Sequence, residues 1–194
     1  MLEVKSQPKR LAICFIALWF LCRRSFIPTL VVCLAMQTHV LARQAPAAKV
    51  LLYTGTVSRV MDGDTVWLRT SSDARPMKVR IQGIDAPESC QSGGRASGAA
   101  LRNHILNRRV TLAVPKSRSH DDYGRVLGRL QYSGDDIGAW MVSNGHAWSY
   151  AYRNNPGPYA QEQARAVAAR RGLFAQPGAE PPWTFRKRHG SCHF

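Results

Sequence analysis

The chain has 194 residues, with 27 lysines and arginines against 12 acids and a formal net charge of +15 at pH 7. That length excludes two ordinary domains but suffices for one small domain, which needs no disulfide-dense scaffold to bury a core. A charge of that size attracts polyanions through contacts that weaken with salt, and the bland alternative is solubility alone.

Residues 1–42 read as an export signal. A basic start precedes the apolar run Leu11 to Cys22; Arg23-Arg24 interrupts, and a second apolar run spans Phe26 to Met36. Neither run reaches the roughly 18 to 20 apolar residues a membrane span requires. Arg23-Arg24-Ser25-Phe26-Ile27 resembles a twin-arginine signal, which makes the second run its apolar region and Val40-Leu41-Ala42 a small-residue cleavage site. The expected location is the periplasm or the medium, without stable membrane association once the signal is gone. The competing reading is an uncleaved anchor in the inner membrane. The segment holds five of the basic residues and one acid, leaving 22 against 11 and a charge of +11 in the remainder. It also removes Cys14, Cys22 and Cys33, so only Cys90 and Cys192 remain. An even pair in an oxidising compartment suggests one disulfide, closing a loop of about 100 residues; two free thiols are the alternative.

Past the signal the chain begins as strands and ends as helix. Leu51 to Val60 alternates loosely and stops at the Asp62-Gly63 turn signal, and Thr65 to Leu68 resumes as a second strand. Met77, Val79 and Ile81 then alternate with Lys78, Arg80 and Gln82, which predicts one buried face and one polar, basic face. A helix follows from about Arg95 to Asn107. Arg109 to Val114 and Arg125 to Tyr132 read as further strands closed by Ser133-Gly134. Ile137, Trp140 and Met141 mark a second helix ending near Gly145. Ala160, Ala164, Val167 and Ala168 keep the spacing of a third, with Gly172 where a cap belongs. Residues 177–194 read as a Pro-rich and then basic tail. Its run Arg186-Lys187-Arg188-His189 either holds nucleic acid or stays solvated. His189, Cys192 and His193 make a poor zinc cluster, because no second paired motif supports them. No Walker-type glycine loop appears, which argues against nucleoside triphosphate hydrolysis.

The chemistry lies in a scattered set of acids and arginines: Asp62-Gly63-Asp64, then Arg80 with Asp85-Ala86-Pro87-Glu88, then Asp121-Asp122-Tyr123-Gly124-Arg125. Clustered acids in a cationic chain suggest a bound metal, and the arginines suit a phosphate that the metal polarises. Metal plus phosphate points to phosphodiester chemistry.

Five strands with three helices, an α+β arrangement, resemble an oligonucleotide-binding (OB-fold) barrel with additions. The three acidic and arginine motifs, in that order, are similar to those of the staphylococcal nuclease family, over about residues 52 to 175, with a nuclease domain at residues 50–176. An Asp-Gly-Asp triplet alone is usually a solvated turn; the ordered trio is the specific signal. The resemblance implies a calcium-dependent, sugar-nonspecific nuclease that acts on DNA and RNA and leaves 3'-phosphates; a monomer that prefers single strands is the expected form. It implies Asp64, Asp85 and the carbonyl of Ala86 as first ligands of calcium, with Asp62 and Glu88 acting through water. Calcium suits such a set because it accepts six to eight oxygens in loose geometry. Arg80 and Arg125 match two phosphate-binding arginines, whose planar forks stabilise charge on the attacked phosphate. Glu88 matches a general base that either removes a proton from water or orients it. Tyr123 matches a tyrosine that contacts a terminal phosphate, and Tyr150 or Tyr152 one that stacks on a base. Asp122 departs from the family, which often has lysine there. The rival from another class is a noncatalytic barrel that binds single strands, which has no need for acids beside its polyanion.

Overall fold

The computed structural model describes residues 49–70 and 75–192, and the export-signal reading of residues 1–42 lies outside them. Strand β1 (Val50–Val60) pairs antiparallel with β2 (Thr65–Thr70), and β2 with β3 (Met77–Ile81). After the two-residue β4 (Ile84–Asp85), helix α1 (Gly94–Ile105) leads into β5 (Arg109–Pro115), which pairs antiparallel with β1 and with β6 (Val126–Tyr132). A parallel pairing of β3 with β6, Val79 opposite Val126 and Ile81 opposite Gly128, closes the five strands into a barrel. The expected five-stranded α+β barrel is therefore the architecture.

The barrel closes because each strand offers one apolar face. Val66 and Leu68 of β2, Val79 and Ile81 of β3, Val110, Leu112 and Val114 of β5, and Leu130 of β6 are all buried. Leu101 and Ile105, one turn apart on α1, are buried in this same core. Short β7 (Asp135–Asp136) runs into α2 (Ile137–Ser143), where the Asp136 carboxylate accepts the Ala139 N–H at 3.0 Å as an N-cap. Strand β8 (Trp148–Ser149) pairs antiparallel with β4, and α3 (Ala160–Ala168) and a 3₁₀ turn (Gly172–Ala175) follow.

The tail differs from its sequence reading. It contains a fourth helix, α4 (Pro182–His189), which starts with Pro182 in the first turn and ends with four basic residues in the last. Proline is tolerated where the N–H has no partner anyway, and the cations face the negative end of the helix dipole. Only Pro182 of this helix is buried. The Cys90–Cys192 disulfide ties its end to the loop before α1, with a Cα–Cα distance of 5.9 Å across 102 positions. Among the described residues no helix is long and apolar enough to cross a membrane.

Reducing that crosslink should lower stability by about 2–4 kcal/mol, less than the ~4.7 kcal/mol of a 100-residue loop. The shortfall arises because α4, with one buried residue, gains freedom in the folded state as well. A thermal melt with and without reductant should show a drop of roughly 5–15 °C; an unchanged melting temperature would remove the crosslink from the stability account.

A second stability feature is an aromatic cluster between α1, α2 and the end of β6. His104 stacks on Trp140 at 4.0 Å, Tyr132 meets His104 edge-on at 5.8 Å, and His146 lies 5.5 Å from Trp140. Burial lowers the pKa of both histidines, against the opposing charge of Asp135 in the case of His104. The unfolded chain therefore takes up these protons near pH 6.5 while the folded chain resists until lower pH. Stability is full above about pH 6.5 and declines as pH falls toward the folded values. Urea midpoints at pH 7.5 and 5.5 should differ less in the His104→Gln, His146→Gln double variant than in the wild type.

Candidate active site

The acidic turn between β1 and β2 is shaped by its own side chains and by small residues beneath it. Asp62 Oδ1 accepts the Asp64 N–H at 2.9 Å. A Cβ on Gly63 would fall 1.9 Å from Ser97 Oγ and 2.7 Å from the Ala86 Cβ, so only glycine lets the turn seat here. On α1, a Cβ added at Gly98 would meet the Asp62 backbone at an ordinary 3.5 Å, so Gly63 is the position that demands glycine here. Asp64, now buried, accepts from Thr65 Oγ1 at 2.9 Å and from the Ala86 N–H at 3.0 Å. Those bonds join the turn to the segment after β4. Burial pushes the Asp62 carboxyl above the usual range, opposed by Arg80 and by hydrogen bonds from Thr65.

Arg80 stands on the polar face of β3 and meets both buried acids. One Nη pairs with Asp64 Oδ2, and Nη2 reaches Asp85 Oδ1 at 3.1 Å and the Ile84 carbonyl at 3.4 Å. Asp85 is fully buried because β4 is held by β8, with Asp85 opposite Trp148. Burial lowers the Arg80 pKa, Asp85 raises it, and the like charge of Arg125 lowers it again. A guanidinium stays charged through such a balance.

Arg125 is positioned by a residue whose role the sequence did not assign. Asp121 Oδ1 accepts the N–H groups of Tyr123 at 3.0 Å and Arg125 at 2.9 Å, while Oδ2 accepts from Arg125 Nε at 2.7 Å. Partial burial raises the Asp121 pKa, but these hydrogen bonds and the Arg125 charge outweigh it and hold the carboxyl below its usual range. Arg125 Nη1 donates to Thr65 Oγ1 at 3.2 Å, and Thr65 donates to Asp64, so a three-residue chain links the second arginine to the first acid. The signal was present in the sequence: an aspartate two and four residues before the N–H groups it accepts closes an Asx-type turn.

These residues line one open cavity of about 820 Å³. Asp62, Asp64, Ala86, Glu88, Tyr123 and Arg125 border it, with Lys78, Arg80 and Gln82 from the polar face of β3. Of the two tyrosines proposed for base stacking, Tyr150 lines the cavity, seated there by β8 and by its N–H bond to the Gly83 carbonyl at 2.9 Å. Tyr152 lies 60% exposed outside the lining, in a bridge with Asn155 and beside Arg153. Tyr123 is 83% exposed at the rim, with the Arg125 guanidinium 5.3 Å from its ring centre.

The C-terminal helix adds a third guanidinium that the sequence left as a choice between nucleic-acid contact and a solvated run. Arg186 Nη2 reaches Asp85 Oδ2 at 2.8 Å, and Nη1 reaches Asp85 Oδ1 at 3.2 Å and Glu88 Oε1 at 3.0 Å. Burial lowers its pKa, but the bonds and charge of Asp85 and then Glu88 outweigh this and raise it. Lys187 and Arg188 are exposed, and Arg188 pairs with Glu180. Cys192 is engaged in the disulfide, which closes the zinc reading at that position.

Among the described residues no group of three or more His, Cys, Asp or Glu side chains is arranged as a metal site. The donor chemistry nevertheless suits a hard cation. Asp64 and Asp85 converge on one guanidinium, and Glu88 joins them through Arg186, so three carboxylates already share bound positive charge.

Residues 78–176 match the family model described as staphylococcal nuclease homologue. The chain belongs to the staphylococcal nuclease family. It is 36% identical over 137 residues to an uncharacterized endonuclease of Escherichia coli, covering 69% of this chain and 85% of that protein. It is 32% identical over 172 residues to a micrococcal nuclease of Shigella flexneri, covering 78% of this chain and 96% of that one. An uncharacterized endonuclease of Haemophilus influenzae is 33% identical over 135 residues, with 70% and 74% covered. The family match takes in Arg80, Asp85, Glu88, Tyr123 and Arg125, and ends before α4.

Proposed function

We propose that this nuclease is an exported, calcium-dependent phosphodiester hydrolase that cleaves DNA and RNA without regard to the sugar, prefers single strands and leaves 3'-phosphates. One observation carries the reading: two buried carboxylates, Asp64 and Asp85, meet one arginine, while a second arginine is tied to the same Asp64 through Thr65. A groove built only to bind a polyanion gains nothing from buried acids beside its arginines, because they repel the phosphate unless a cation intervenes.

Asp64, Asp85 and the Ala86 carbonyl would hold the calcium, with Asp62 and Glu88 acting on its waters. When bound, calcium supplies Lewis-acid polarisation of a phosphoryl oxygen and neutralises developing charge. Arg80 and Arg125 bind the equatorial oxygens of the phosphate and stabilise the charge that builds there as water adds in line. Glu88 orients or deprotonates that water. Tyr123 meets a terminal phosphate, and Tyr150 stacks on a base, an interaction that tolerates any base and suits broad substrates. The enzyme acts as a monomer in the periplasm or medium, after cleavage near Val40-Leu41-Ala42.

The test is degradation of single-stranded DNA and of RNA by the purified protein, with calcium and with excess chelator, followed by end-group analysis. Calcium-dependent cleavage of both, with 3'-phosphate ends, is the expected result. Intact strands that still shift in a gel would replace the proposal with a binding barrel. N-terminal sequencing of the exported protein checks the processing, and an intact Met1 would favour the anchor.

A further inference from the structure

We infer that Arg186 is a positioning residue of this active site, braced against Glu88 and Asp85, and that the Cys90–Cys192 disulfide is what delivers it. The inference rests on the role proposed for Glu88. A glutamate on a loop has three rotatable bonds, and a carboxylate that directs water has to be held to within a fraction of an ångström. Glu88 lies on no strand or helix; it sits between β4 and α1. Arg186 spans it and Asp85 with one planar fork, so the loop carboxylate is referenced to the most deeply buried acid of the site.

The helix that carries Arg186 has little else to hold it. Of its apolar side chains only Pro182 is buried, with Phe185 half-buried. What fastens α4 is a set of ties to the same short loop: the disulfide at Cys90, the Cys90 N–H to Cys192 Sγ at 3.1 Å, and Gln91 Nε2 to the Glu180 carbonyl at 2.7 Å. Gln91 Oε1 in turn accepts the Glu88 N–H at 3.1 Å. The crosslink thus lies two residues from Glu88, and loop and helix brace each other. Opening it takes two electrons and two protons from an added dithiol, giving two thiols. Arg186 then loses its anchor, and Glu88 its brace.

The experiment is a cycle between the arginine and the crosslink: wild type, Arg186→Gln, the Cys90→Ser, Cys192→Ser pair, and all three changes together. Steady-state cleavage of a single-stranded oligonucleotide at saturating calcium gives kcat and KM, and amide hydrogen exchange without substrate reports on residues 86–94. Arg186→Gln should lower kcat roughly 10²-fold with KM within about twofold, and should speed exchange in that loop. The cysteine pair should match it, and the triple variant should fall no further, since both changes remove one brace. Lys187→Gln, an exposed cation on the same helix, should keep the wild-type kcat. Wild-type or raised kcat in Arg186→Gln, losses that add in the triple variant, or an equal loss in Lys187→Gln would each overturn the inference. A wild type that cleaves nothing with any cation would instead defeat the nuclease reading; unaltered loop exchange in Arg186→Gln would then still overturn the brace.

Discussion

Replacing Arg80 with alanine is expected to lower kcat/KM on DNA or RNA by roughly 10³ to 10⁵-fold, the range an arginine contributes in phosphoryl transfer, or about 4 to 7 kcal/mol of barrier. The loss has two sources that can be separated. The first is chemical: the guanidinium that meets Asp64 and Asp85 also lines the cavity, where the proposed function has it bind the phosphate. The second is structural, because removing it leaves two buried carboxylates with less compensation. Breaking a buried pair from one side typically costs about 3–5 kcal/mol. Here the cost should be nearer 1–3 kcal/mol, since Asp85 keeps Arg186 and Asp64 keeps Thr65 and the Ala86 N–H. Arg80→Lys isolates the first source: it retains the charge and much of the stability but offers a point cation in place of a planar fork. Activity assays beside urea unfolding should therefore show Arg80→Lys far nearer to wild type in stability than in rate. Equal recovery of both would mean that charge alone matters.

How far the site could be read from the sequence depended on whether a residue's partner was near in the chain. The alternation of Val79 and Ile81 with Lys78, Arg80 and Gln82 was enough to separate a buried face from a basic one. That the basic face lines the cavity follows from the β3 to β6 closure, which joins residues about 47 apart and leaves no local trace. The Asp62 to Asp64 turn was legible as a turn because its bonds are local. Its seat was not, because Gly63 packs against Ser97 of α1 and against Ala86, partners far along the chain. Tyr150 and Tyr152 could not be told apart in the sequence, and the β4 to β8 pairing separates them by fixing one beside the cavity. The tail was the largest departure. It lacks apolar periodicity because α4 is held by a covalent tie and by ion pairs, so a search for an amphipathic stripe passes over it. Pro182 at its start and four basic residues in its last turn were the only local cues.

Asp85→Asn should do comparable damage from the opposite charge. The substitution keeps the shape of a residue with no exposed surface, so the effect is electrostatic rather than steric. Both carboxylate oxygens are engaged by guanidinium groups, Oδ1 by Arg80 and Arg186 and Oδ2 by Arg186. Neutralising the acid leaves two cations facing each other across an amide, whose NH₂ group cannot accept a bond from either. The chain should lose about 1–3 kcal/mol of stability without added cation. Calcium affinity should fall at least tenfold, since even partners beyond the coordinating groups are worth 10 to 100-fold at metal sites. Activity at saturating substrate should fall by about 10²–10³ or more. The decisive reading is a thermal melt at rising calcium. In the wild type a concentration near 100 times Kd should add about 2.7 kcal/mol of stability if, as proposed, only the folded state binds. In Asp85→Asn that gain should largely vanish at the same concentration while the cation-free transition stays cooperative. A variant that calcium stabilises as much as the wild type would show that the ion binds elsewhere. Asp85 would then serve the two arginines and not the metal.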